Sequence, residues 1–332
     1  MGRLGSAIVS KVTVPVASFV GALSETKISP IPKVKLCLLL LLIPAIPALL
    51  LHHRKNLSQI PSLYRVLWVV SFLINMLAGS VPGRLESLQG GVPWESFFQP
   101  SGWAFSLWGV IYASELISVL HVGLSGEPMN ALRKAVPFWV AGNLFQALWC
   151  AAFRPEFINV LWLPTALLAL AGSSFALAHL ELTSSIRYLS SAFNAEAQRH
   201  LYLVRFPLAL HSAWLAAASL LNFNSWLAVS KVSTDSQLAS SFLSAYGAAT
   251  IGAVLTWKTR DPFIALTIAW ALAALSDRTR EKSAVALVTE GKGLNKKGLF
   301  GRAQGALATT EKILSFVMLA LGVGAAVPSD LF

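Results

Sequence analysis

Long runs of uncharged, mostly apolar residues alternate with short polar connections along most of this chain. Each run reaches or approaches the roughly 20 residues that an α-helix needs to cross the hydrocarbon layer of a membrane. Lipid offers the backbone no hydrogen-bond partners, and the hydrophobicity is continuous rather than alternating, so the runs must be helices rather than barrel strands. The pattern predicts an all-α fold, a polytopic transmembrane helix bundle, from the runs 66–83, 96–114, 135–153, 157–180, 206–230 and 236–257.

The predicted helices divide the chain into consecutive parts. A five-helix core occupies residues 64–229, and its fourth helix, 157–180, is so uniformly apolar that we expect it to face lipid. An additional helix pair follows at 230–276. Residues 277–312 are rich in basic residues and glycine, and we predict a basic loop there before a C-terminal helix at 313–332.

Two segments precede this bundle. Residues 1–35 carry five basic residues, one acid and several serines, which is typical of a targeting extension, and we expect them to be disordered. Residues 36–63 contain an apolar, signal-anchor-like segment and a basic linker. Together they favour an organelle membrane, of a plastid or a mitochondrion, and leave open whether residues 1–51 are cleaved.

The net charge of +11 does not indicate nucleic-acid binding. The Lys and Arg residues lie in connections between apolar runs rather than in a groove with interleaved aromatic residues, so anionic lipid headgroups are the better match. The basic residues also leave the orientation open. Those of loops 52–65, 121–134, 181–205 and 258–261 favour one side as the inside, whereas those of 277–312 favour the other.

Signals of catalysis or metal binding are absent from the sequence. The six histidines show no H-E-x-x-H spacing, and both cysteines stand alone in apolar segments. Neither G-x-S-x-G nor G-x-G-x-x-G occurs. We therefore expect no enzyme, no catalytic residue, no metal site and no resident cofactor, although a bound porphyrin or lipid would be compatible with the chain.

The best site candidate lies on the second helix. Pro100 and Gly102 mark a turn that leads into it, and a set of residues at steps of four, three, four and three then shares one helical face. This face stacks aromatic rings above a carboxylate. A carboxylate inside a membrane helix must face the bundle interior, form an ion pair, or be protonated. The alternative is an aromatic stripe that only packs against neighbouring helices. The face comprises Ser101, Phe105, Trp108, Tyr112 and Glu115.

Other helices offer polar or aromatic partners for this face. The third helix carries Asn143 and Gln146 on one stripe, which in the simplest up-and-down bundle would meet Glu115. The fifth helix places His211 and Trp214 on one face. The connection 82–99, with Trp94 and two phenylalanines, is either a lid over the bundle or an aromatic anchor at the membrane interface.

Several short motifs occur in order between residues 66 and 276. They are Asn75-Met76-Leu77-Ala78 with Pro82-Gly83; the stretch from Gln99 to Tyr112; Asn143; Pro207 with Ala213-Trp214, Ala218 and Asn222; and Arg260-Asp261 with Ile268-Ala269-Trp270-Ala271-Leu272. Together they resemble the translocator protein family, also called TspO or tryptophan-rich sensory proteins, in its longer form.

The resemblance implies a ligand class and a site. Members of the family are associated with tetrapyrroles and sterol-like lipids, bound between the first two helices and their loop. Carried over by position, the ligand-contacting residues would be Trp94, Pro100, Trp103, Phe105, Trp108 and Tyr112, with Asn143 and Trp214 completing the cavity.

These observations favour a membrane protein that binds, senses or transports a flat, largely apolar ligand in a Trp-rich pocket. One alternative is a small-solute secondary transporter that uses Glu115 and His211. Another is a non-catalytic scaffold of an organelle membrane. The expected partners are the lipid bilayer and a small apolar ligand, and the chain could also form a homodimer.

Overall fold

The computed structural model describes residues 61–87, 92, 94–124, 132–189, 195–290 and 296–326. The expected targeting extension and nearly all of the anchor-like segment lie outside the described residues, so the organelle address stays a prediction. Within the described part the chain forms eight α-helices and no strand. They are α1 (Pro61–Ser80), α2 (Leu107–Leu124), α3 (Val136–Ala152), α4 (Trp162–Leu189), α5 (Ala195–Val229), α6 (Thr234–Thr259), α7 (Pro262–Glu290) and α8 (Lys296–Ala326).

The outer surface of this bundle matches an integral membrane protein. Six helices of the described chain are long and apolar enough to cross a membrane, and α3 is a shorter apolar helix. Large apolar side chains such as Leu77, Leu243 and Phe316 are 60–67% exposed, which is the arrangement expected where lipid replaces water.

The fourth helix is not the lipid-facing element that its composition predicts. In α4, 56% of the spanning window is buried, against 28% in α1 and in α2. Glycines of α3 and α4 allow this close packing, because a Cβ at Gly142 would lie 2.9 Å from Phe175 and one at Gly172 would lie 3.1 Å from Leu215. Lipid tails and protein interiors are equally apolar, so a uniformly apolar helix carries no signal that separates the two surroundings.

Residues 277–312 are helical rather than a loop over nearly their whole described length. α7 continues to Glu290 and α8 begins at Lys296, so the two form an antiparallel hairpin. Ser283 Oγ donates to the carbonyl of Gly301 at 3.0 Å, and Ser276 Oγ to that of Ala308 at 2.8 Å. Gly305, one of the glycines that predicted a loop, packs against α7, where an added Cβ would lie 3.4 Å from Ser283 Oγ.

The polar connection predicted at 181–205 is also shorter than expected. α4 runs on to Leu189, and α5 already begins at Ala195 with Pro207 inside it. Polar residues there extend the helices instead of ending them, since helix propensity does not require apolar side chains.

A cluster of charged side chains fixes the turn between α6 and α7. Asp261 Oδ1 accepts from the backbone N–H of Phe263 at 3.1 Å, while Oδ2 accepts from His179 Nε2 at 2.9 Å and lies 3.0 Å from Arg205 Nε. Arg205 also donates to the carbonyl of Thr259 at 2.8 Å. Burial alone would raise the pKa of the Asp261 carboxyl, but the bonds from His179, Arg205 and Phe263 outweigh it and hold the pKa below its usual value.

Candidate ligand-binding site

The segment before α2 folds back over one end of the bundle and is held there by backbone hydrogen bonds. Leu85 N donates to the carbonyl of Phe153 at 3.0 Å, and Ser101 N donates to that of Ala274 in α7 at 2.9 Å. A 3-10 turn, Gly102–Ser106, then leads into α2, because Ser101 is extended and breaks the helical path. The segment 94–104 therefore lies between α2 and the middle of α7.

Beneath this segment is a cavity of about 480 Å³. Its walls come from the segment itself and from α2, α3, α4, α5 and α7, and no described residue of α1 contributes. In this cavity α7 therefore forms a wall where the resemblance led us to expect α1, and the location of the site between the first two helices stays a prediction. The lining residues are Arg84, Glu86, Val92, Trp94, Phe98, Gln99, Pro100, Phe105, Trp108, Trp149, Phe153, Leu168, Trp214, Ala217, Ala218, Leu221, Asn222, Ser225, Ala271 and Leu275.

Aromatic rings define the shape of the cavity. Trp214 lies edge-to-face with Trp108, with 6.1 Å between ring centroids, and edge-to-face with Phe105 at 5.9 Å. On the opposite wall, Trp149 and Phe153 are stacked at 5.2 Å. Such geometries hold rings rigidly, so the cavity presents flat apolar walls rather than flexible side chains.

Few polar groups reach this space. Trp214 is 3% exposed, and no described residue accepts a hydrogen bond from its indole Nε1. Two other lining residues, Trp149 and Asn222, already bond each other: Trp149 Nε1 donates to Asn222 Oδ1 at 3.4 Å. A buried donor without an acceptor is costly, which makes Trp214 the least satisfied of the described side chains in the cavity wall.

One ion pair lies at the cavity edge. Arg84 Nε donates to Glu86 Oε1, and Arg84 Nη1 donates to the carbonyl of Gly79 at the end of α1. Burial would lower the pKa of Arg84, but the carboxylate of Glu86 outweighs this effect and raises it. The guanidinium therefore stays charged beside an otherwise apolar space.

The structure brings five of the predicted site residues to the cavity wall: Trp94, Pro100, Phe105, Trp108 and Trp214. Trp103 lies outside it, 40% exposed and edge-to-face with Trp270 at 4.7 Å. Tyr112 stacks on Trp108 at 5.3 Å, one layer behind the wall. Described residues of the connection between α1 and α2, among them Val92, Trp94 and Phe98, line the cavity, and its role as a lid stays a prediction.

Asn143 and Gln146 lie deeper in the bundle and do not line the cavity. Asn75 Nδ2 donates to Asn143 Oδ1 at 3.1 Å and to Gln146 Oε1 at 3.2 Å, and Gln146 Nε2 donates to the Tyr112 hydroxyl at 3.0 Å. These amides join α1, α2 and α3. The expected hydrogen bond of this stripe with Glu115 is not formed, because Asn143 and Gln146 bond Asn75, Tyr112 and the carbonyl of Trp139 instead.

Glu115 instead meets His211. His211 Nδ1 lies 2.6 Å from Glu115 Oε1, and both side chains are fully buried. The contact joins α2 to α5, the two helices that carry Trp108 and Trp214. No group of three or more His, Cys, Asp or Glu residues in the described chain could hold a metal ion.

The model of the TSPO-like protein family matches residues 62–290. The chain belongs to this family. Comparison with curated proteins and with solved structures found no match. The range of this TSPO-like match contains every lining residue of the cavity, from Arg84 to Leu275, so the site lies in the part of the chain that defines the family.

Several cavity residues of this TSPO-like protein were not predicted from its sequence. Arg84 and Glu86 form an ion pair, and two opposite charges so close together in a mostly uncharged connection were an available signal. Ala271 and Leu275 of α7 carried no signal, because small and aliphatic residues occur throughout the apolar runs. Only the chain path that places α7 beside the segment 94–104 identifies them.

Proposed function

We propose that this integral membrane protein binds a flat, largely apolar molecule that carries at least one hydrogen-bond acceptor. The observation that carries the proposal is the indole N–H of Trp214, buried in the cavity wall without a partner among the described residues. A ligand carbonyl or ring nitrogen would satisfy this donor. The surrounding rings would contact the two faces of the ligand.

The size and lining of the cavity support this class of ligand. A volume of about 480 Å³ falls within the range of small-molecule sites, which are mostly apolar with a few oriented polar groups. Sterol-like and tetrapyrrole molecules share the required chemistry, a rigid apolar body with polar atoms at its edge. They differ in charge, since a tetrapyrrole with carboxylates could also approach Arg84, whereas a neutral sterol-like ligand could not use that charge.

The experiment uses the full chain in phosphatidylcholine nanodiscs and two matched pairs of probes. Progesterone is compared with 5α-pregnane, which lacks its carbonyl acceptors, and protoporphyrin IX with its dimethyl ester, which lacks the carboxylates. Equilibrium dialysis gives the affinity of each probe. We expect progesterone to bind about two- to tenfold more tightly than pregnane, the effect of roughly one hydrogen bond. Tighter binding of the porphyrin acid than of its ester would favour a tetrapyrrole ligand.

A variant pair separates the cavity from other tryptophans. Trp108→Ala removes a wall of the cavity, and we expect it to weaken binding of progesterone by about tenfold or more. Trp257→Ala is the matched control, because Trp257 is 67% exposed on α6 and does not line the cavity. Equal effects of the two substitutions, or no saturable binding of any probe, would contradict the proposal and favour a scaffold without a ligand.

A transport role is a second candidate, and the contact between Glu115 and His211 favours it. Buried ionisable residues inside membrane helices commonly mark ion or substrate pathways. Proteoliposomes loaded with the probe that binds best would test it: release faster than from protein-free vesicles, and dependent on Trp108, supports transport. Release at the protein-free rate assigns the protein to binding or sensing alone.

A further inference from the structure

The interior of the bundle contains a second site that the ligand cavity does not use. Glu115 of α2 and His211 of α5 are both 0% exposed, and they meet at 2.6 Å through Oε1 and Nδ1. Each residue lies well inside a helix long enough to span a membrane. A charged residue at the centre of a membrane helix costs about 2.5–3.5 kcal/mol of insertion free energy. Ionisable residues at this depth are therefore candidates for a functional role.

Each member of the pair also keeps one polar atom free. Glu115 Oε2 and His211 Nε2 are buried and have no hydrogen-bond partner in the described chain. The imidazole is enclosed by rings: Phe175 stacks on it at 4.1 Å, while Trp108 and Tyr112 approach at 5.6 and 6.3 Å. A free acceptor and a free imidazole nitrogen beside aromatic faces form a place where a proton can be added or removed.

We propose that the Glu115–His211 pair is a proton-binding site coupled to the ligand cavity through Trp108. With one proton on its two facing atoms, the pair is neutral as a whole, whether as imidazolium and carboxylate or as imidazole and carboxylic acid. A proton taken from bulk water by a free atom makes the pair positive, and loss of the shared proton makes it negative. Each change places one net charge beside the aromatic rings.

Trp108 provides the coupling because it belongs to both sites. Its ring lines the cavity, where a ligand would lie against it, and it contacts the imidazole of His211. The attraction between a cation and an aromatic ring depends on the charge of the imidazole. We therefore expect a ligand that packs against Trp108 to change the proton affinity of the pair, and protonation must then change the ligand affinity by the same factor.

Other charged or titratable groups around the pair are few and are engaged elsewhere. On α2 the neighbour is Tyr112, bonded to Gln146. On α4, His179 is one turn from Phe175 and binds Asp261, as does Arg205 on α5. The nearby side chains of α1 and α3 are amides that do not titrate. These are Asn75, Asn143 and Gln146.

The first experiment needs no ligand and tests the proton site alone. Trp emission of the full chain in phosphatidylcholine nanodiscs is recorded between about pH 4 and pH 9, where carboxyl and imidazole groups titrate. We expect a one-proton transition that Glu115→Gln and His211→Gln both remove. Asp235→Asn is the control, since Asp235 is an exposed carboxylate in the first turn of α6 and outside the pair, and it should keep the transition.

A reporter variant keeps the test decisive if the substitutions of the pair fail to fold. Trp108→Phe leaves both members of the pair in place but removes the indole in contact with His211. The emission of wild-type protein minus that of Trp108→Phe must then contain the transition. A flat difference, or a transition that survives unchanged in Glu115→Gln, overturns the proton site.

The second experiment tests the coupling, which rests on the proposed ligand function. Progesterone, which does not titrate, is bound at about pH 5 and about pH 8, values on either side of the ordinary imidazole pKa. We expect its affinity to change by about fivefold or more in the wild type and by less than about twofold in Glu115→Gln. A pH-independent affinity overturns the coupling. Absence of binding at both pH values overturns the ligand function, which the coupling requires, while the ligand-free transition still decides the proton site.

Discussion

Asp261 and Trp214, two buried polar residues toward different ends of the bundle, differ in whether the protein supplies their hydrogen-bond partners. At the α6–α7 turn, both oxygens of Asp261 have partners, supplied by His179, Arg205 and a backbone N–H. At the cavity end, the indole N–H of Trp214 has no partner among the described residues. The polar residues at the α6–α7 turn bond one another and hold the helices together. The indole N–H of Trp214 remains available to bond a ligand.

This difference gives a way to separate structural from functional polar residues. A buried group whose hydrogen bonds are all made within the protein contributes to folding, and its loss is a loss of stability. A buried group left without a partner costs stability in the empty protein, so its retention points to a partner that arrives later. Substitutions at the two ends should therefore change different measurements.

The largest effect is expected at the closed end. Asp261→Ala leaves His179 and Arg205 buried without their carboxylate, and breaking such a pair costs about 3–5 kcal/mol of unfolding free energy. Unfolding of the purified protein in detergent, followed by circular dichroism, measures the change. Asp235→Ala is the matched control, because Asp235 is an exposed carboxylate in the first turn of α6 and should change stability by less than about 0.5 kcal/mol. Equal stability of the two variants would show that the cluster of Asp261, His179 and Arg205 does not stabilise the fold.

A smaller effect, of the opposite kind, is expected at the cavity end. Trp214→Phe keeps an aromatic wall but removes the unpartnered donor, so the empty protein should be as stable as the wild type or more so. The same change should weaken progesterone binding by about two- to tenfold, the contribution of one hydrogen bond of about 0.5–1.5 kcal/mol. Pregnane, which has no acceptor, should bind the two proteins equally. A loss of stability without a loss of affinity would place Trp214 with the structural residues.

The same contrast explains what the sequence could predict. Long apolar runs gave the helical membrane bundle, and the spacing of Phe105 and Trp108 identified one wall of the cavity, because helix periodicity is local. The contact of Glu115 with His211 spans 96 positions in the chain, so only the packing of α2 on α5 reveals it. The helical hairpin at 277–312 was missed for a local reason: glycines such as Gly305 favour loops in isolation, but here Gly305 lies in α8 against Ser283 of α7.

The smallest effect is expected from acidification at the closed end. Because the pKa of Asp261 is lowered in the folded protein, its contribution to stability is present above the ordinary carboxyl pKa of about 4 and is lost as the pH falls through the lower, folded value. The unfolding free energy of the wild type should therefore decline below about pH 4 more steeply than that of Asp261→Asn, which has no carboxylate to protonate. Measuring unfolding in detergent at several acidic pH values compares the two slopes. Parallel slopes would mean that other carboxylates dominate acid sensitivity, and the cluster would then stabilise the turn through packing and hydrogen bonds rather than through its charge.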